Sequence, residues 1–156
     1  IPPMSLPVTD ISYPQIGATV GSRLNPILNA EIRHNGLDFI VPRGSAVYAS
    51  ADGTVERAMA ARKGDGNTVV LAHRGGYRTR YCHLSEIKVK EGQKVHKGQL
   101  IGTSGMSGDV FAPHLHYEVL LDGRPLNPAN CLFASVSPEE YSNMLYMSIY
   151  TKESMD

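Results

Sequence analysis

The sequence is short of several things, and each shortage removes a class of explanation. Only two of its 156 residues are cysteine, Cys82 and Cys131. That is too few for a disulfide framework, and they are far apart with no C-x-x-C spacing, so a thiolate-closed structural metal site is excluded as well. The two could still pair with each other; the bland reading is two small buried apolar residues. Net charge is also missing: 15 Lys and Arg balance 15 Asp and Glu, leaving a formal charge of +0. A broad basic surface for nucleic acid is thereby excluded, and no nucleic-acid partner is expected. No apolar run reaches the length that spans a bilayer. The H-E-x-x-H helix of many metalloproteases is absent, and Gly102-Thr103-Ser104-Gly105-Met106 breaks the G-x-S-x-G pattern of serine hydrolases. The chain opens Ile1-Pro2-Pro3, without an initiator methionine or signal peptide. It reads as a processed or trimmed fragment, leaving targeting information or a membrane anchor to lie outside it.

What is present fits one domain with a real core. The length suits a single unit, and the hydrophobic fraction of 42% is ordinary for a globular chain. Residues 1–20 carry several prolines and little periodicity, which predicts an extended, wrapping segment. Residues 21–135 form the expected domain, and 136–156 a C-terminal helix and tail. From Asp38 the pattern is β, with short apolar runs punctuated by glycine. Strands are expected at Phe39–Val41, Ser45–Ser50, Gly53–Arg57, Thr68–His73, Tyr77–His83, Gln99–Gly102 and Leu115–Leu121. Ala51-Asp52-Gly53 reads as a hairpin turn, and Gly75-Gly76 as another. Ser137-Pro138-Glu139-Glu140 combines an N-cap serine, proline at the first helical position and glutamate at the third, which predicts a short helix.

The organising stretch is Pro113-His114-Leu115-His116-Tyr117-Glu118-Val119. In a strand His114 and His116 share one face, while Leu115 and Tyr117 point to the other, toward packing. Two polar residues on a solvated strand face would explain the pair equally well. A second cluster, His34-Asn35-Gly36-Leu37-Asp38, shifts the balance. If extended, His34 and Asp38 share a face; the Asn-Gly between them makes a turn an alternative. Imidazole and carboxylate are both zinc ligands, and two histidines with one carboxylate leave a fourth position for water. Such a zinc would activate water, and histidines, with an unperturbed pKa of about 6.5, are natural acids and bases beside it. Of the remaining histidines, His83 ends a strand, His73 precedes the Gly75-Gly76 turn and His96 sits in a loop. Pattern alone does not rank His83 above His73.

His34-x-x-x-Asp38, Tyr81-x-His83-Leu84 and the Gly-rich Ser104–Gly108 before Pro113-His114-Leu115-His116-Tyr117-Glu118 together resemble the lysostaphin-type (LytM-like) zinc endopeptidases. The likeness extends through Pro42-x-Gly44, Ala51-Asp52-Gly53, Gly92-Gln93-x-Val95-x-Lys97-Gly98-Gln99 and Asn127-Pro128, and so covers about residues 21–133. The resemblance implies a mainly β, antiparallel groove fold with duplicated lipoyl-like hairpins. It implies one Zn2+ per chain on His34, Asp38 and His116, with His83 and His114 flanking the metal-bound water as the catalytic pair. The implied activity is hydrolysis of peptide cross-links in bacterial peptidoglycan by a monomeric enzyme in the periplasm or outside the cell. The likeness of the core and of the C-terminal Ser-Pro-Glu-Glu-Tyr helix to Gram-negative envelope proteins points to the D-Ala to diaminopimelate bond. The other reading is a latent or non-catalytic wall-binding or regulatory module, with residues 1–20 lying across the groove. Asp109-Val110-Phe111-Ala112 depart from the family's small polar residues and would make one groove wall bulkier. Cys82 stands where alanine is common, and strand alternation would turn it into the core, away from His83.

Overall fold

The computed structural model describes residues 4–8, 30–32, 35–108, 110 and 112–132. Among these residues ten strands form one antiparallel sheet: β1 (Ala30–Ile32), β2 (Leu37–Phe39), β3 (Ala46–Tyr48), β4 (Gly53–Met59), β5 (Asn67–Ala72), β6 (Tyr77–Ile87), β7 (Lys94–Val95), β8 (Leu100–Ser104), β9 (Leu115–Leu121) and β10 (Arg124–Leu126). The main order is β1-β2-β9-β6-β5-β4-β7. Strand β10 flanks β9, and β8 joins both β3 and the far end of β6. The chain is thus mainly β and antiparallel, as its turn-rich pattern predicts. Among the described residues one short α-helix, α1 (Pro128–Leu132), follows β10. Asn127-Pro128 was its available signal, since proline is favoured at the first helical position. The helix expected from Ser137 lies outside the described residues.

Period-2 alternation builds the core. Leu115, Tyr117 and Val119 of β9, Tyr81 of β6, Val69 and Leu71 of β5, and Leu37 and Phe39 of β2 are all buried in one apolar cluster. Tyr117 packs edge-on against Phe39 at 6.1 Å and against Tyr81 at 5.4 Å between ring centroids, the arrangement favoured by ring quadrupoles. Both phenols are buried and hydrogen-bonded. The Tyr117 hydroxyl donates to Ser50 Oγ at 2.8 Å, and the Tyr81 hydroxyl accepts from the Ser50 amide at 3.1 Å. Residues 4–8 are stitched onto this core. Met4 N donates to Cys131 O, Ser5 N to Ser50 O, and Tyr48 N to Pro7 O, while Met4 and Val8 are buried. These five residues therefore lie against the core side of the sheet and not across its histidine-bearing face; the rest of residues 1–20 lies outside the described residues.

Two expectations need correction. Ala51-Asp52-Gly53 is not a hairpin turn, because β3 pairs with β8 whereas β4 pairs with β5 and β7. The Asp-Gly signal marks a crossover instead. Asp52 Oδ1 accepts from the Lys97 amide at 2.7 Å and so pins the loop after β7. Cys82 is buried and free, but it does not turn into the apolar cluster. It lies directly across from His116 in the β6–β9 register, and cross-strand partners share a face. Burial first, then the negative fields of Asp65 and Glu118, push its thiol pKa up despite the Arg80 charge and a hydrogen bond with Thr68. Alternation fails beside it because His83 has φ of 64°, a left-handed backbone that breaks the strand's pleat.

Replacing Tyr117 with Phe should destabilise the fold by roughly 1–3 kcal/mol, the cost of leaving the buried Ser50 hydroxyl short of a partner. Urea unfolding checks this: the midpoint should fall with the m-value unchanged. An unchanged midpoint would show that the phenol contributes nothing.

Candidate functional site

Register places the site. In the β2–β9 ladder Asp38 stands opposite His116, and in the β6–β9 ladder Arg80 stands opposite Glu118 and Cys82 opposite His116. Since side chains alternate along β9, His116 and Glu118 both face away from the Leu115–Tyr117–Val119 core. The result is a row of alternating charge across three strands. His116 Nδ1 donates to Asp38 Oδ1 at 2.6 Å, and Nε2 donates to Glu118 Oε2 at 2.8 Å. Glu118 Oε2 also accepts from Asn35 Nδ2 at 2.8 Å and from Arg80 Nη1 at 3.3 Å, and Arg80 Nη2 reaches Asp65 Oδ2 at 2.6 Å. Asp38, His116 and Glu118 are all buried. Gly36 lets the Asn35 turn come this close, because a Cβ there would collide with the Tyr117 carbonyl.

The two other histidines close over this row. His114 precedes β9, bridged to Gly105, and its Nε2 lies 3.7 Å from Asp38 Oδ1. Its Nδ1 is 3.0 Å from the Ala112 carbonyl. The shared face expected of His114 and His116 is thus observed, with Asp38 as their common neighbour. His83 donates from Nδ1 to the Ser107 carbonyl at 2.7 Å, and its ring centroid lies 5.0 Å from that of His114 and 6.3 Å from that of His116. Sequence pattern alone left His73 level with His83. The structure separates them: His73 is held by the Asp52 carbonyl at 2.8 Å and by Thr79 Oγ1 at 2.7 Å, on the core side. His96 is exposed. Glu118 and Asn35 are the members that residue-type reasoning passed over. Glu118 was visible as the next same-face position after His116.

His116 is the electrostatic centre. Burial opposes charge on its ring, but the hydrogen bonds to Asp38 and Glu118 and the fields of both carboxylates overcome that and raise its pKa to about 9. At neutral pH the ring is therefore an imidazolium with both N–H groups donated.

That arrangement corrects the zinc expectation. Of the three residues assigned to the metal, His34 lies outside the described residues, and Asp38 and His116 are engaged with each other. Ligation would require this ring to release a proton and its carboxylate partners. Among the described residues, no group of three or more His, Cys, Asp or Glu side chains is placed to hold a metal ion. The reading as an active zinc metalloendopeptidase, with one Zn2+ and a metal-activated water, is withdrawn on this geometry. Phe111 and Asp109 of the expected bulky wall also lie outside the described residues.

The clamp has a measurable consequence. Because the folded pKa of His116 lies above the unfolded value of about 6.5, its contribution to stability is complete below that pH and is lost as pH rises through about 9. NMR titration of the His116 ring should give a midpoint near 9, and Glu118→Gln should lower it. A wild-type midpoint near 6.5 would show that the clamp does not form.

The sequence matches the profile of Peptidase family M23 over residues 32–128, more than half of the chain. It is 48% identical over 120 residues to the peptidoglycan DD-endopeptidase ShyA of Vibrio cholerae, an alignment covering 76% of this chain and 28% of that protein. Among solved structures, a zinc containing peptidase from Vibrio cholerae aligns with a TM-score of 0.58 and 45% identity over 60% of this chain and 28% of that one. The SpoIIQ-SpoIIIAH pore forming complex aligns with a TM-score of 0.63 and 25% identity, over 98% of this chain and 99% of that one. The chain thus spans about 28% of the length of its ShyA relative. With its antiparallel sheet and its histidine-bearing β9 lying inside the matched region, the chain belongs to Peptidase family M23.

Proposed function

We propose that this chain is a peptidoglycan-recognising module of a bacterial envelope protein, latent in the arrangement described. The observation that carries the reading is the occupation of both His116 nitrogens by Asp38 and Glu118. A ring held in this way orients and balances charge, and it is not available for other chemistry.

Recognition of a cell-wall peptide is supported from two sides. Relatives named as acting on peptidoglycan share 48% and 41% identity with this chain. The site itself is built of mixed-sign groups suited to a polar peptide once the latent arrangement opens: Asp65 and Arg80 are part-exposed at its edge, while Asp38, His116, Glu118, His83 and His114 are buried behind them. On this reading His83 and His114, both buried in the latent arrangement, are the side chains that meet the peptide when it opens. The fold's occurrence in a pore forming complex, at 25% identity, is compatible with a binding role. A periplasmic or extracellular monomer, built on duplicated lipoyl-like hairpins of which Glu91–Gln99 is one, belongs to the same proposal.

The test is incubation of the purified chain with isolated peptidoglycan sacculi, followed by sedimentation and mass analysis of the supernatant. The chain should pellet with the sacculi and release no un-cross-linked muropeptides. Release of such fragments, with or without added Zn2+, would overturn the latent reading, and a chain left wholly in the supernatant would overturn recognition.

A further inference from the structure

His83 is gripped more closely than its place in a strand requires. It sits where β6 changes partners: Tyr77–Cys82 run beside β9, while Leu84–Ile87 run beside β8. The left-handed φ of 64° makes that joint, at a cost a non-glycine residue bears only when its surroundings impose it. The surroundings are two loops that converge on this one residue. The Asp65 carbonyl accepts from the His83 amide at 2.8 Å. The Ser107 carbonyl accepts from ring Nδ1 at 2.7 Å. Ser107 Oγ donates to the carbonyl of the next residue, Leu84, at 2.6 Å and accepts from the Asn67 amide at 2.9 Å. Asn67 Nδ2 donates to the same Leu84 carbonyl at 2.9 Å.

The loops touch through their backbones. A Cβ on Gly66, whose φ is +66°, would collide with the Ser107 carbonyl and hydroxyl. A Cβ on Gly108, φ +85°, would collide with the Gly64 carbonyl. These two glycines are therefore required by close approach as well as by backbone conformation. Arg80 adds a tether from the sheet through Asp65 Oδ2 at 2.6 Å, so the loop over residues 61–66 is fixed to the same charged row that holds His116.

We propose that Ser107 is a positioning residue for His83. Its hydroxyl locks the loop at Asn67 and Leu84, and the locked loop presents a carbonyl that the His83 ring can satisfy only by carrying its proton on Nδ1. In a neutral imidazole the lone pair then resides on Nε2, the ring atom away from that carbonyl. The hydroxyl of Ser107 thereby selects the tautomer that His83, buried in the latent arrangement, carries into peptide recognition. The second half of this inference rests on the peptide-recognition reading above; the tautomer selection does not.

The experiment is 15N ring-correlation NMR on the whole chain, which reports the tautomer of each histidine directly, paired with sacculus sedimentation. Wild type should show His83 as the Nδ1–H form. Ser107→Ala should convert it to a mixture of tautomers and weaken sedimentation roughly tenfold, about what one net hydrogen bond contributes. Ser107→Thr keeps the hydroxyl and should restore both. Gly66→Ala pushes the same carbonyl from the opposite loop and should reproduce the mixture, which tests the idea should Ser107→Ala fail to fold. Amide spectra of β5, β6 and β9 serve as the folding control. An Nδ1–H tautomer retained in folded Ser107→Ala and Gly66→Ala variants would overturn the proposal, as would an Nε2–H form in wild type. A tautomer change with undiminished sedimentation would overturn the link to the ligand. A wild type that shows the tautomer effect but binds no sacculi would support the positioning role and overturn the functional reading alone.

Discussion

The register of β9 between β2 and β6 is the constraint on which the rest of this molecule depends. It sets Asp38 opposite His116 and Arg80 opposite Glu118, and it sends Leu115, Tyr117 and Val119 to the other face. A slip of β9 by one residue would exchange the two sets, turning His114, His116 and Glu118 into the apolar cluster and sending Tyr117 to the other face. The Tyr117 ring, wedged between Phe39 and Tyr81, makes such a slip costly. The packing of one face thus enforces the electrostatics of the other.

Those electrostatics are self-contained. Each buried charge in the row has an opposite neighbour, so removal of any one leaves a neighbour stranded, the expensive outcome for buried pairs. His116 is the clearest case, since two carboxylates share its charge and raise its pKa to about 9. The same mutual engagement is what the proposed latent reading rests on.

Much of this was legible in the chain itself. The order of short strands, the core-facing Leu115 and Tyr117, the shared face of His114 and His116, and the family follow from period-2 alternation and from motifs at fixed spacing. The errors share a physical cause. Cys82 was turned the wrong way because alternation assumes an unbroken pleat, and the left-handed backbone of His83 breaks it. Asp52-Gly53 has the local chemistry of a hairpin, but that chemistry does not say which strand comes back to pair. The zinc expectation counted ligand-type side chains without their neighbours, and Glu118 and Asp38 change the protonation of His116.

The sequence by itself determined the period of each strand, the turn positions and the identity of the groups available to one face, because these depend on neighbours a few residues away. Tertiary structure alone decided which groups meet. Asp38 and His116 are 78 positions apart, Asn35 and Glu118 83, and they touch only because three strands lie side by side in one register. It also decided that His83, and not His73, joins the cluster, since that choice depends on two distant loops closing around Ser107. Contacts of this kind carry no local signature, because their energy comes from the mutual burial of segments that are strangers in sequence.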